Sequence, residues 1–163
     1  MGDPNVVLVT GCAIGGIGYE YCKALAEQNC SVFASDIPQR MQDMLDLSSD
    51  KIETLELDVT SDESVSSAVN TVISKSGRRI DVLINNACIG STDTKGRARA
   101  SQGSKATSAT IFARHVSKKV LSRRPPKQIV FGHMTGLFAT LPLSPLWVRD
   151  LFFSTSFSLK KKV

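Results

Sequence analysis

The chain has 163 residues, room for one domain with a real core and too little for two comfortable ones. With 42% hydrophobic and 21% charged residues it fits neither a disordered chain nor a polytopic membrane protein. The net charge of +5 conceals a split: residues 1–90 hold 6 Lys/Arg against 13 Asp/Glu, and residues 91–163 hold 14 against 2. An acidic soluble body with a basic arm is expected, the arm suited to membrane headgroups or nucleic acid.

Asn5 to Thr10 is a short β-branched apolar run that ends in Gly11, as a strand buried on both faces would. A glycine-rich turn follows. From Ile17 to Gln28 the positions Ile17, Tyr21, Ala24, Leu25 and Ala26 predict an amphipathic helix, and Cys30 to Ala34 predicts a second strand ending at Asp36. Pro38 opens a further helix, with Met41, Met44, Leu45 and Leu47 on its inner face.

The third strand is Ile52 to Leu57. Thr60 or Ser61 caps the next helix, Asp62 and Glu63 suit its dipole, and Val65, Ala68, Val69 and Val72 form its inner face. Gly77 stops it. Ile80 to Ile84 is the fourth strand, running into Asn85-Asn86-Ala87. Strands alternating with helices predict an α/β fold with a parallel sheet and right-handed crossovers.

The pattern then breaks. Ser91 to Lys105 is a Ser, Thr, Gly, Lys and Arg stretch that reads as a linker. Residues 106–122 regain helical spacing, with Ile111 or Phe112, Val116 and Val120 inward and Lys118 and Lys119 outward. Gln128 to Phe131 is a candidate strand. Gln128 to Val148 is a run of 21 residues without a formal charge, but Gly132, Gly136, Pro142 and Pro145 interrupt it. The composition predicts an interfacial or re-entrant segment rather than a spanning helix. The alternative is a core strand followed by packed turns.

Cys12, Cys22, Cys30 and Cys88 have no C-x-x-C spacing, and only His115 and His133 lie far along the chain as partners, so no metal site is assigned. Unpaired thiols and the lack of a signal-peptide core at Val6 to Val9 predict a cytoplasmic location.

Thr10-Gly11-Cys-Ala-Ile-Gly15-Gly16-Ile17-Gly18 follows a buried strand and opens a helix, the context of a dinucleotide fingerprint. Gly11 permits a sharp strand exit, Gly16 lets backbone N–H groups approach a pyrophosphate, and Gly18 lets the helix pack closely on the sheet. Asp58-Val59-Thr60 ends the third strand and Asn85-Asn86-Ala87 ends the fourth, both at the carboxyl edge where such sheets bind ligands. In this order and spacing, residues 5–90 resemble the short-chain dehydrogenase/reductase family.

The resemblance implies a truncated Rossmann-like doubly wound sheet of strand order 3-2-1-4, spanning residues 1–90. The linker 91–105 and a basic, partly helical and apolar region 106–163 follow it. It implies NAD or NADP, weakly or partially bound: Gly11, Gly16, Ile17 and Gly18 would hold pyrophosphate and ribose, Asp58 and Val59 the adenine, and Asn86 and Ala87 the adenosine pocket. Asp58 has a second reading, as a turn or helix-cap carboxylate. Asp36 is placed to bond both ribose hydroxyls, which favours NAD, while Arg40 would offset repulsion of a 2′-phosphate.

Two departures stand out: the glycine turn has one residue more than the commonest pattern, and Cys88 replaces the last glycine of N-N-A-G.

The family transfers hydride with a Tyr-x-x-x-Lys pair and an upstream Ser. The tyrosines here are Tyr19 and Tyr21, both in the first helix beside the fingerprint, so no catalytic residue is assigned. Loss of a positioned acid removes roughly 10²- to 10⁴-fold in rate, and negligible activity is expected.

The tail resembles the family's 1-acyldihydroxyacetone-phosphate reductase branch through Ala109 to Leu121, the run from Arg124 to Gly132, and Trp147 to Phe153 before a Lys-rich end. That implies lipid metabolism at an endoplasmic reticulum or lipid-droplet surface, and Lys160-Lys161-Lys162-Val163 fits a dilysine retrieval tail.

A non-catalytic protein is the competing expectation. It would bind a membrane surface through 106–163 or a partner through the exposed edge of strand 80–85; a splice product without function is a third. Nucleic acid is disfavoured, since the basic arm has no interleaved aromatic residues.

Overall fold

The structure, a computed structural model, describes residues 3–88, 106–132 and 135–156. The linker 91–105 and the Lys-rich end lie outside the described residues. The described chain forms two units, one of residues up to Cys88 with Ala109–Pro126, the other of residues after them up to Ser108 and from Lys127 onward.

In the first unit, strands β1 (Val6–Thr10), β2 (Ser31–Asp36), β3 (Ile52–Glu56) and β4 (Val82–Ile84) form a parallel sheet in the order β3-β2-β1-β4. Every pairing is parallel, with Val7 opposite Val32 and Val82, and Val32 opposite Ile52. This is the Rossmann-like arrangement expected from the alternating pattern.

Period-two alternation divides β1 between two cores. Val7 and Val9 point to one face with Val32, Ala34 and Ile52. There they meet Tyr21, Cys22 and Leu25 of helix α1 (Ile17–Glu27) and Met44 and Leu47 of a 3-10 helix (Pro38–Leu47). Val6 and Leu8 point to the other face with Phe33, Leu55 and Leu57, under Ala68 and Val72 of helix α2 (Asp62–Lys75). Helices therefore cover both faces of one sheet.

The helix after Pro38 has three residues per turn rather than 3.6, and this moves one expected core residue. At that pitch side chains three apart eclipse, so Met41, Met44 and Leu47 stack on the sheet side. Leu45, expected inward, is 69% exposed.

In α2 the Ser61 hydroxyl accepts from Ser64 N–H and caps the helix. Ala68 and Val72, four apart, are buried, whereas Val65 in the first turn is exposed, against expectation. Gly77, at φ +66°, follows the end of α2 as anticipated. Ile17, also expected inward, is exposed at the start of α1.

Helix α3 (Ala109–Val120) lies against α1 in this unit. Fully buried Ala113 and Ser117, four residues apart, make a small-residue face that lets the helices approach, and Phe112 sits 6.4 Å from the Tyr21 ring. Phe112 is thus the inward residue and Ile111 is exposed. Arg114 pairs with Glu27 at 2.9 Å across the two helices.

The sheet's edges differ. β3 carries Glu53, which pairs with Lys75, and Glu56. β4 has only apolar side chains, and Leu83, in register with Leu8, is 53% exposed.

In the second unit, helix α4 (Thr135–Thr140), a 3-10 turn (Leu141–Leu143) and helix α5 (Leu146–Ser156) succeed one another, broken at Pro142 and Pro145. The expected strand at Gln128–Phe131 does not form. A strand needs a neighbour, and among the described residues of this unit there is none. No helix among the described residues is long and apolar enough to cross a membrane.

Candidate functional site

The site lies where β1, β2 and β4 end and α1 begins. A latch joins the ends of β1 and the edge strand β4. The Thr10 hydroxyl accepts from the backbone N–H groups of Asn86 and Ala87, both at 3.0 Å, while the Asn86 side-chain amide donates to the carbonyls of Thr10 at 3.0 Å and Gly11 at 2.9 Å. One hydroxyl and one carboxamide thus satisfy the main-chain groups freed where the sheet stops pairing. Asn86 is half-buried and Ala87 exposed.

Within this latch, two glycines are required by space. Gly11 has φ +72°, and a Cβ there would lie 2.8 Å from the Ala87 Cα. A Cβ on Gly18 would lie 2.2 Å from the Gly11 carbonyl oxygen and 2.6 Å from Asn86 Nδ2. The first turn of α1 therefore sits directly on the ends of β1 and β4.

The longer turn between Gly11 and Gly16 is stitched to its neighbours amide by amide. Cys12 N–H donates to Ser35 O at 3.1 Å, Ala13 N–H to Asp36 Oδ2 at 2.8 Å, Ile14 N–H to Asp43 O at 3.1 Å, and Gly16 N–H to Ala13 O at 3.2 Å. Helix α1 then starts from Gly16 with no side-chain cap. The N–H groups of Ile17 and Gly18, in the first turn, have no intrahelical acceptor.

This arrangement fits a pyrophosphate: first-turn amides without an intrahelical acceptor, the positive end of an 11-residue helix, and open space at Gly15 among the described residues.

Asp36 is partly buried at the end of β2. Its second oxygen, Oδ1, accepts from Ile37 N–H at 2.9 Å. Arg40 is held by Asp43 at 2.6 Å, both side chains being substantially exposed. Asp58 Oδ1 accepts from both the hydroxyl and the N–H of Thr60, at 2.7 and 2.9 Å, which turns the chain into α2. These bonds, the hydroxyl first, hold the Asp58 carboxyl below its ordinary range. Val59 is half exposed.

Thr10 and Ser35 are the site residues that sequence reasoning left aside. The Ser35 hydroxyl donates to Val9 O at 2.9 Å and pins β2 to β1. Their signal was a hydroxyl at the end of a buried apolar strand, where only a partner within the fold can satisfy it.

The Tyr-x-x-x-Lys spacing does occur once, at Tyr19 and Lys23, and the structure shows what it does there. The Tyr19 hydroxyl donates to Asp46 of the 3-10 helix at 2.6 Å, and Lys23 Nζ lies 5.4 Å from the centroid of the Tyr19 ring. The bond to the Asp46 carboxylate, then burial, push the Tyr19 pKa up to about 12, the opposite of what a general acid needs. Burial also raises Tyr21.

The buried Cys22 thiol donates to Cys12 Sγ at 3.4 Å, and Cys12 to Val9 O at 3.2 Å. The Cys22–Cys12 hydrogen bond first, and burial second, push the Cys22 thiol pKa far up. Cys88 is an exposed free thiol.

The sequence profile of the family described as short chain dehydrogenase matches residues 5–119. The chain belongs to the short chain dehydrogenase family. Members of this family are NAD(P)-binding oxidoreductases.

Relatives of this chain include the short-chain dehydrogenase cctT of Talaromyces islandicus, 39% identical over 83 residues, 51% of this chain and 29% of the relative. Cyclopentanol dehydrogenase of Comamonas testosteroni is 38% identical over 91 residues, covering 53% and 36%. Among solved structures, the 3-ketoacyl-(acyl-carrier-protein) reductase of Brucella melitensis complexed with NADH is 28% identical, with coverage of 53% and 35% and a TM-score of 0.48. The chain spans about a third of the length of such curated relatives.

Proposed function

We propose that this chain binds NAD(P) through Gly11, Gly16, Ile17, Gly18, Asp36, Asp58, Val59, Asn86 and Ala87, and that it does not by itself transfer hydride. The observation that carries the reading is the uncapped start of α1, preceded by open space at Gly15 and flanked by a β2 carboxylate. The amides of Ile17 and Gly18 would hold a pyrophosphate, and Asp36 would receive ribose hydroxyls. A 2′-phosphate would meet the Asp36 carboxylate while Arg40 is engaged by Asp43, which favours NAD over NADP.

The cofactor supplies a hydride when bound, but both tyrosines are committed, Tyr19 to Asp46 and Tyr21 to the core. On the resemblance of its tail, the chain is a relative of acyl-dihydroxyacetone-phosphate reductases of lipid metabolism.

Titration with NADH and NADPH, followed by nucleotide fluorescence, tests the reading. Saturable enhancement, stronger for NADH, is expected, and folded protein that gives none would overturn it. Oxidation of NADH by this chain with a carbonyl substrate would overturn the inactivity.

A second reading, association with a membrane surface through 106–163, is favoured by exposed Leu143, Leu146, Trp147 and Leu151 in a net-basic half of the chain. Flotation with anionic vesicles tests it, and protein that stays at the bottom at low salt refutes it. This reading would place the protein at the endoplasmic reticulum or a lipid droplet. The edge strand β4, with Leu83 exposed, offers a further contact, with another protein chain.

A further inference from the structure

We infer that Asp36 is a positioning residue that clamps the phosphate turn, independently of any ribose contact. Three successive amides anchor that turn, and two of them use main-chain carbonyls, Ser35 O and Asp43 O. The central amide, Ala13 N–H, is held by a side chain, Asp36 Oδ2 at 2.8 Å. Asp36 can act as a fixed post because its own carbonyl accepts Leu57 N–H at 2.9 Å, while Oδ1 takes Ile37 N–H. The carboxylate thus ties the turn to the start of the 3-10 helix.

The main-chain bonds of Cys12 and Ile14 flank the clamp, and beyond them the tip of the turn is open. Ile14 is 55% exposed, and an added Cβ on Gly15 would find nothing within 4 Å. The turn is one residue longer than the commonest family pattern and stands in front of α1. The Asp36 carboxylate adds the central of its three anchors and so helps position the approach to the Ile17 and Gly18 amides. One carboxylate would then set two properties, ribose preference and the geometry of the phosphate site. Replacing it to admit a 2′-phosphate would also loosen the turn.

The binding consequence rests on the dinucleotide reading, whereas the clamp itself does not, so the test has two arms. In the first, amide hydrogen exchange resolved by NMR compares wild type with Asp36→Ala without ligand. Exchange of Ala13 and Ile37 should quicken by about tenfold or more, the worth of a hydrogen bond to a charged acceptor, while Val7 and Val9 in β1 stay protected. Unchanged Ala13 exchange overturns the clamp.

Should Asp36→Ala lose protection at Val7 and Val9 as well, Asp36→Asn keeps the shape with a single acceptor oxygen. Quicker exchange at one of the two amides supports the clamp, and neither changing overturns it.

The second arm uses ADP and 2′,3′-dideoxyadenosine 5′-diphosphate. A clamp predicts that Asp36→Ala weakens both by a similar factor, about tenfold. A loss confined to ADP assigns Asp36 to ribose contact alone and overturns the effect on the phosphate site. If wild type binds neither nucleotide while Ala13 exchange responds, the dinucleotide reading fails and the clamp stands.

Discussion

Gly18→Ala adds a Cβ where, of the described glycines, there is least room for one. The new Cβ would sit 2.2 Å from the Gly11 carbonyl oxygen and 2.6 Å from Asn86 Nδ2, against a contact distance of about 3.5 Å, so α1 must retreat by on the order of 1 Å. Overpacking of this kind costs roughly 1–3 kcal/mol. The new Cβ crowds both atoms of the bond from Asn86 Nδ2 to Gly11 O and should break it, a loss of about 1 kcal/mol. Alanine's better helix propensity returns at most about 1 kcal/mol, which leaves a net loss of about 1–3 kcal/mol.

Urea unfolding followed by circular dichroism measures that loss, and a double-mutant cycle with Asn86→Ala assigns its cause. If Gly18→Ala acts by opening the latch, the two changes share one interaction, and the double variant should fall short of additivity by about 1 kcal/mol. Gly15→Ala is the control. It carries φ +86° but meets no atom within 4 Å, so it should lose about 1–2 kcal/mol through backbone strain and add to Asn86→Ala within about 0.5 kcal/mol. Additive losses for Gly18→Ala and Asn86→Ala would refute the reasoning.

Met44→Ala should cost about 2–5 kcal/mol and Leu45→Ala less than about 0.5 kcal/mol in the same assay, because the three-residue pitch buries only the first; equal losses would argue for an ordinary α-helix. Ser61→Ala removes the acceptor for Ser64 N–H and should cost about 1 kcal/mol, with Ser61→Asp restoring most of it.

Stability should fall as pH rises above 9. Tyr19, Tyr21, Cys22 and Cys30 all have raised pKa values. The unfolded chain therefore releases these protons first, from the ordinary 9.0 for Cys and 10.0 for Tyr, while the fold retains them. Their stabilisation is fully present below those values, and the Tyr19 share is lost between pH 10 and about 12. A urea midpoint that stays level from pH 8 to pH 11 would contradict this, and Tyr19→Phe should flatten the upper part of the decline.

The sequence by itself determined the sheet and its mouth. Periodicity located all four strands and the helices between them, because burial on two faces leaves few choices in runs such as Val6 to Thr10. Two of the fingerprint glycines, Gly11 and Gly18, marked the close approach of α1 to the ends of β1 and β4, and Gly15 marked a left-handed turn.

Only tertiary structure decided the rest. Leu45, Val65 and Ile17 are apolar at helical spacing yet exposed, since burial depends on where the sheet lies beneath a helix and on the pitch of that helix. The inward residue of α3 was Phe112 because α1 presents Tyr21 to it. Asp36 reads in sequence as a ribose ligand, but its carboxylate also holds Ala13, 23 residues earlier. Tyr19 and Lys23 have the spacing of a catalytic pair, yet Asp46 reaches Tyr19 from another element. Such bonds join residues far apart in the chain, and no local pattern encodes which donor will face which acceptor once the elements pack.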